Sequence, residues 1–196
     1  MISIVINALL LNGSSSQDAE IDMLYNSVME EIKNYNYNVE SILLRDVKVA
    51  ACQGCFECWV KTPGECKIDD SGREIAKKMV QSNLILHFTP ITFGGYSSEL
   101  KKVIDRFIPT ILPFFTKRAG EIHHKQRYEK RASIIVVGFL EKPDKLKESV
   151  FRKLVHRNSL NMEAPSHNVI IYTKNGDQTE FLNEFKKILK NVEGNA

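Results

Sequence analysis

Apolar runs alternate with amphipathic stretches along this chain, and that rhythm limits the folds open to it more than any motif does. Ile2 to Leu11 is a near-continuous apolar run, as expected of a strand buried on both faces. Ile21, Leu24, Tyr25, Val28, Met29 and Ile32 follow at helical spacing. Val39 to Leu44 reads as a second, more polar strand, and Asp69 to Gln81 as a short helix facing inward through Ile75, Met79 and Val80. Leu84 to Phe88 is a third strand, ended by Thr89-Pro90. Leu100, Val103, Ile104, Phe107, Ile108 and Ile111 mark a third helix. Ile134 to Phe139, Leu146 to Val155, Val169 to Tyr172 and a last helix from Phe181 to Val192 complete the series. Strands separated by helices imply right-handed crossovers and a parallel sheet covered on both faces. Five such units are too few for a barrel, which leaves an open doubly wound sheet. Its ligands bind beyond the carboxyl ends of the strands, where the strand order reverses.

The 196 residues favour one domain, 1–196, with a cysteine-rich loop at 51–67. No linker or repeat divides the chain. A net charge of +3 with both signs interspersed gives little reason to expect nucleic acid as a partner. The start Met1-Ile2-Ser3-Ile4-Val5 lacks the basic region and cleavage site of a signal peptide. No apolar run approaches the roughly 20 residues of a membrane helix, so no membrane partner is expected. Thiols kept for metal or redox work are commoner in reducing compartments, and the expected location is the cytoplasm.

All four cysteines fall within fifteen residues, as Cys52-x2-Cys55-x2-Cys58-x7-Cys66. Three at successive x2 spacing match the way one loop wraps an iron–sulfur cubane, soft thiolates binding iron. A zinc ribbon sets two knuckles well apart, which this pattern fits less well. Four thiols that merely line a loop are the third reading, and spacing alone does not separate the three.

Two loops at the carboxyl edge carry chemistry of their own. Asn12-Gly13-Ser14-Ser15-Ser16-Gln17-Asp18 is neither a Walker loop nor a dinucleotide fingerprint. Its amides and hydroxyls could hold a phosphate, or Ser14 or Ser15 could simply cap the helix, with Gln17 or Asp18 returning the bond. Asp18, Glu20 and Asp22 crowd the first turn, where acids suit the helix dipole but repel a phosphate dianion. After the third strand, Gly94-Gly95 lets backbone approach a flat ligand, flanked by Phe93 and Tyr96, with Ser97 or Ser98 as helix cap. The alternative is a tight turn whose aromatics pack on the core.

Gly13-Ser14 after the first strand, Cys-x-Gly-Cys-x-x-Cys with a later Cys-x-Ile-Asp-Asp, and Thr-Pro-Ile-Thr-Phe-Gly-Gly-Tyr-Ser-Ser-x-Leu-Lys-x-x-x-Asp-Arg stand in one order. Together they resemble the flavodoxin-like NAD(P)H-dependent FMN reductases, particularly the branch containing iron–sulfur flavoproteins. The resemblance covers residues 1–115 well. It implies a flavodoxin-like sheet of order 2-1-3-4-5 with FMN at its carboxyl edge. The FMN phosphate would sit at Ser14, Ser15 and Ser16, and its ring against Pro90, Ile91, Thr92, Phe93, Gly94 and Gly95. Cys52, Cys55, Cys58 and Cys66 stand where iron–sulfur members keep the ligands of a 4Fe-4S cluster. The implied activity is FMN-dependent oxidoreduction: NAD(P)H reduces the flavin, and a small-molecule or protein electron acceptor takes the electrons. A homo-oligomer, dimer or tetramer, is implied as well. Two alternatives stand beside it, an iron–sulfur flavoprotein electron carrier and a degenerate domain with an empty flavin site.

The flavin would do the chemistry, so no catalytic side chain is assigned. The five histidines form no triad or zincin pattern, and no paired-carboxylate site follows from spacing. His87 reads as a core histidine with a satisfied hydrogen bond, and Trp59 as the anchor of its loop. The basic stretch from Lys117 to Arg131 reads as a solvated connection into the fourth strand.

Overall fold

The computed structural model describes residues 6–15, 18–35 and 37–193. Its centre is a five-stranded parallel sheet made of β1 (Ile6–Asn12), β2 (Tyr37–Leu43), β3 (Leu84–Pro90), β6 (Ser133–Leu140) and β7 (His167–Thr173), ordered β2-β1-β3-β6-β7. Since β6 and β7 are the fourth and fifth strands of that sheet, this is the expected 2-1-3-4-5 winding. Position in the sheet sets strand composition. The central β3 and β6 are buried almost throughout, whereas the edge strand β2 alternates with solvent.

Two cores lie on the two faces of the sheet. On one, α1 (Ala19–Asn34) and α6 (Gln178–Glu193) bring Leu24, Val28, Ile32, Phe185 and Leu189 against Leu10, Leu86, Phe88 and Val137. On the other, α3 (Ser71–Gln81), α4 (Ser98–Asp105) and α5 (Lys145–Asn161) bring Ile75, Met79, Leu100, Val103 and Phe151 against Leu9, Leu11, Ile85 and Val136. Strand residues feed the two cores alternately because successive side chains point to opposite faces. No helix of the described residues is long and apolar enough to cross a membrane.

Three expectations change. The third helix stops at Asp105 rather than running to Ile111, for Arg106 turns back to other partners and Pro109 occupies a short 3-10 turn, Ile108–Thr110. The basic stretch is not a loose connection. With the residues before it, it forms an antiparallel hairpin of β4 (Ile111–Arg118) and β5 (Glu121–Gln126). Ala119 and Gly120, both at positive φ, make its two-residue turn, the geometry that matches strand twist. Its Arg118 and Glu121 pair with Glu163 and Arg157, which ties the hairpin to the end of α5. Finally, neither ring nitrogen of the buried His87 has a hydrogen-bond partner among the described residues. Burial in this apolar layer lowers its pKa to about 4, so the ring is neutral.

Candidate functional site

At the carboxyl edge, the chain leaves β1 through Asn12, whose Oδ1 accepts from the Ser14 amide at 2.9 Å. The Gly13 amide donates to the Phe88 carbonyl at 2.7 Å. A Cβ on Gly13 would lie 2.6 Å from Ser97 Oγ and 2.8 Å from Leu100 Cβ, so only glycine lets this loop lie against α4. Ser14 is buried and Ser15 exposed, while Ser16 lies outside the described residues. Neither Ser14 nor Ser15 caps α1. Asp18 does, its Oδ1 accepting from the amides of Glu20 and Ile21.

The acids of this turn are partnered. Asp18 pairs with Lys174 at 2.9 Å, and Lys174 also approaches Glu141. The Lys174 hydrogen bond first, then the Ile21 amide, hold the Asp18 carboxyl below its usual range. Glu20 Oε1 accepts from Tyr172 Oη at 2.6 Å and from the Asn175 amide at 2.9 Å. Asp22 points to Arg45. Glu20 is thus a tie to the end of β7, and the anion resting on the helix N-terminus is the chain's own Asp18.

Beyond β3, Thr92, Phe93, Gly94 and Gly95 form a closed turn. The Thr92 and Gly95 amides each donate to the other residue's carbonyl, at 3.0 and 2.8 Å. Phe93 and Gly94 both have positive φ, as a type I′ turn needs. Of the two glycines, Gly94 is the constrained one, because its Cβ would lie 2.9 Å from Val150 Cγ1. Gly95 has room for a Cβ. The flanking aromatics part company: Tyr96 packs into the core with its hydroxyl on Asn158, while Phe93 stands 95% exposed. Ser97 caps α4.

A cleft of about 410 Å³ opens between this turn, the ends of β6 and β7, and the start of α1. Pro90, Ile91, Thr92 and Phe93 line one side, Phe139, Leu140 and Glu141 another, with Glu20, Lys147 and Lys174 at the rim. Its size suits a small-molecule ligand. No motif marked Lys174 or Phe139 for this cleft; Phe139 lies near the end of β6 and Lys174 just beyond β7, both far along the chain.

The four cysteines all line one second, small cavity, with Arg106 and Lys67 beside them. Gly54 and Phe56, at positive φ, turn the loop, and the one-turn α2 (Glu57–Val60) carries Cys58 inward. All four are free thiols. Burial first, and then its three neighbouring thiols, push the Cys58 pKa up. Trp59 anchors the loop by donating Nε1 to the carbonyls of Ile108 and Ile111. Arg73 Nε donates to the Cys66 carbonyl at 2.6 Å. Among the described residues no three Cys, His, Asp or Glu side chains group tightly enough to hold one metal ion. A mononuclear zinc site draws its ligands onto a single ion. A cubane asks something different, one thiolate for each iron around a larger body. Four thiols about one cavity, with two cations near, suit that donor set.

An open parallel sheet with a ligand-sized cleft at its carboxyl edge and a cysteine loop after its second strand defines a flavodoxin-like protein. The chain belongs to the NADPH-dependent FMN reductase family, whose sequence pattern matches residues 6–148. It is similar to an iron–sulfur flavoprotein of Methanocaldococcus jannaschii, 33% identical over 104 residues, 53% of this chain and 53% of the relative. A second iron–sulfur flavoprotein, from Archaeoglobus fulgidus, is 31% identical over 98 residues, 50% of this chain and 47% of that one. The chain thus spans about half the length of the curated relatives it matches. Among solved structures, an NAD(P)H:quinone oxidoreductase from Methanothermobacter marburgensis superposes with TM-score 0.71 at 11% identity, covering 96% of this chain and 98% of that one. An FMN-dependent NADH-azoreductase from Bacillus anthracis, in complex with FMN, gives TM-score 0.60 at 15% identity, covering 96% and 97%. At such identities the likeness is one of fold.

Proposed function

We propose that the chain is an FMN-dependent NAD(P)H oxidoreductase, a single cytoplasmic domain that passes electrons to a small-molecule or protein acceptor. The observation that carries this reading is the family match over residues 6–148 on a sheet whose carboxyl edge bears a ligand-sized cleft. FMN, when bound, supplies the redox chemistry by accepting a hydride from the nicotinamide. The chain's part is placement. Backbone from Pro90 to Gly95 would lie along the ring, and Ile91, Phe139 and Leu140 would keep water from it. Ser14, Ser15 and Ser16 would hold the phosphate, with the buried Asn12 Nδ2, unpartnered among the described residues, as a donor in reserve. The donor set suits FMN, and the competing charge is Asp18. Exposed Phe114, Phe115 and Ile122 on the hairpin support a homo-oligomer, which light scattering on the purified protein would detect.

Fluorescence titration with FMN and riboflavin, followed by NADH and NADPH oxidation assays, tests the reading. Tighter binding of FMN than of riboflavin is expected, with nicotinamide oxidation that depends on added FMN. No quenching at high FMN would overturn it and favour an empty-site interaction domain.

A second reading is favoured by the cysteine cavity itself, which gathers four thiols in a chain whose relatives include proteins named iron–sulfur flavoproteins. Cys52, Cys55, Cys58 and Cys66 would then hold a 4Fe-4S cluster, and the chain would act as an electron carrier between partners.

A further inference from the structure

Phe93 occupies a position that the fold has no reason to give to phenylalanine. Its φ of 51° lies in the left-handed region, which bulky L-residues adopt only at a cost. Turns of this type favour asparagine, aspartate or glycine at that place. The ring recovers nothing by packing, since it is 95% exposed and has no aromatic partner among the described residues. The turn beneath it is nonetheless fixed by the reciprocal Thr92 and Gly95 hydrogen bonds and by Gly94 lying on Val150 of α5. A rigid turn therefore holds an exposed, strained aromatic ring at the wall of the cleft described above. Strain and exposure that the fold does not compensate point to a ligand that does.

We propose that the Phe93 side chain is the stacking platform for a planar conjugated electron acceptor entering that cleft, selecting the second substrate while the backbone of its turn lies along the flavin. The inference rests on the oxidoreductase reading. A flat ring is the ligand such a platform recognises, for an exposed phenyl face offers area and a π surface but no hydrogen bond. Lys147 and Lys174 on the same rim are each engaged with a carboxylate, Asp144 and Asp18, so the apolar face is the rim's freest feature. The nicotinamide and flavin rings share this chemistry, and the experiment separates the three.

The test uses the FMN-loaded protein, with duroquinone as probe because its four methyl groups block addition to the cysteines. Phe93→Ala should raise the dissociation constant and KM for duroquinone about threefold to tenfold, the scale of one aromatic stack. Phe93→Tyr should restore them. The loss should exceed that for ferricyanide, which has no flat ring. A matching loss of FMN affinity in Phe93→Ala would assign the platform to the flavin, a rise in KM confined to NAD(P)H would assign it to the nicotinamide, and either would overturn the proposal. In the flavin-free protein, Phe93→Gly should raise the melting temperature, since relief of left-handed strain outweighs the unfolded-chain entropy that glycine adds and no packing is lost. A lowered melting temperature would make the ring structural, and unchanged duroquinone binding in Phe93→Ala would remove it from the site. Failure of FMN titration itself would instead sink the oxidoreductase reading, which keeps the two failures apart.

Discussion

Arg106 clasps Asp70 through both carboxylate oxygens, Nη1 to Oδ2 at 3.0 Å and Nη2 to Oδ1 at 2.9 Å, with the two side chains 1% and 9% exposed. The same guanidinium donates to the carbonyls of Ala50 and Ile68, the two ends of the cysteine loop. Asp70 in turn accepts from the Ala50 amide and caps α3 through Gly72. One buried ion pair thus closes the cysteine loop and seats the following helix. A Cβ on Gly72 would lie 3.1 Å from the guanidinium carbon, so the glycine makes room for the clasp.

Breaking this pair by Arg106→Met leaves a buried carboxylate without its cation and should cost about 3–5 kcal/mol of folding stability. Urea denaturation would measure it. A loss below about 1 kcal/mol would show that water reaches Asp70 and that the clasp is not what holds the loop.

Burial alone would raise the Asp70 carboxyl, but the Arg106 hydrogen bond and the Ala50 and Gly72 amides outweigh it and hold it below 3.8. A carboxylate lowered in the folded state contributes stability that is present above its unfolded pKa and lost as pH falls through the folded one. Accordingly Asp70→Asn should flatten the acid limb of stability below about pH 4. An unaltered limb there would place the acid sensitivity elsewhere.

His87 acts at a higher pH. Its pKa is about 4 when folded against 6.5 unfolded, so below pH 6.5 the unfolded chain takes a proton that the folded chain refuses. Stability should fall between pH 6.5 and about 4, by roughly 3 kcal/mol at 1.36 kcal/mol per pKa unit. His87→Leu should abolish that fall, and should add about 1–3 kcal/mol at pH 7 by removing unpaired ring nitrogens from the core. Denaturation midpoints at pH 7 and 5 for both proteins would decide it, and a destabilised variant at both pH values would mean the ring has a partner after all.

The helix N-terminus that would receive a flavin phosphate is held by Asp18, not Glu20. Asp18→Asn keeps a capping oxygen but removes a like charge, and should tighten FMN binding severalfold while leaving riboflavin unaffected. Glu20→Ala should give no such gain, because its carboxylate serves Tyr172 and Asn175. Equal improvement for both flavins in Asp18→Asn would put the phosphate somewhere else.

Cys55→Ala should abolish bound iron after anaerobic reconstitution with iron and sulfide while the sheet stays folded, for Cys55 is exposed and outside both cores. Stoichiometric iron in the variant, or none in the parent protein, would retire the cluster.

The fold was legible wherever burial follows local periodicity. Short apolar runs such as Leu84 to Phe88 and Ile134 to Phe139, bounded by turn residues, read as buried strands, and their helical separators imply parallel pairing. The hairpin was not legible, because Phe114, Phe115 and Ile122 stay exposed and leave no amphipathic signature. Nor was the end of the third helix, whose apolar spacing ran on through Ile111 although Arg106 had turned away.

The parallel pairing of the sheet, the edge at which its connecting loops lie and the crowding of four thiols in one loop were legible from order and spacing along the chain, whereas the 2-1-3-4-5 winding followed only from the family resemblance. Which acid caps α1, which glycine is indispensable, whether Phe93 or Tyr96 enters the core, and what closes the cysteine loop were decided by tertiary structure alone. Each depends on a partner distant in sequence, Lys174 for Asp18, Val150 for Gly94, Asn158 for Tyr96 and Arg106 for Asp70. Local propensity carries no information about such partners, since only the folded sheet brings them within reach.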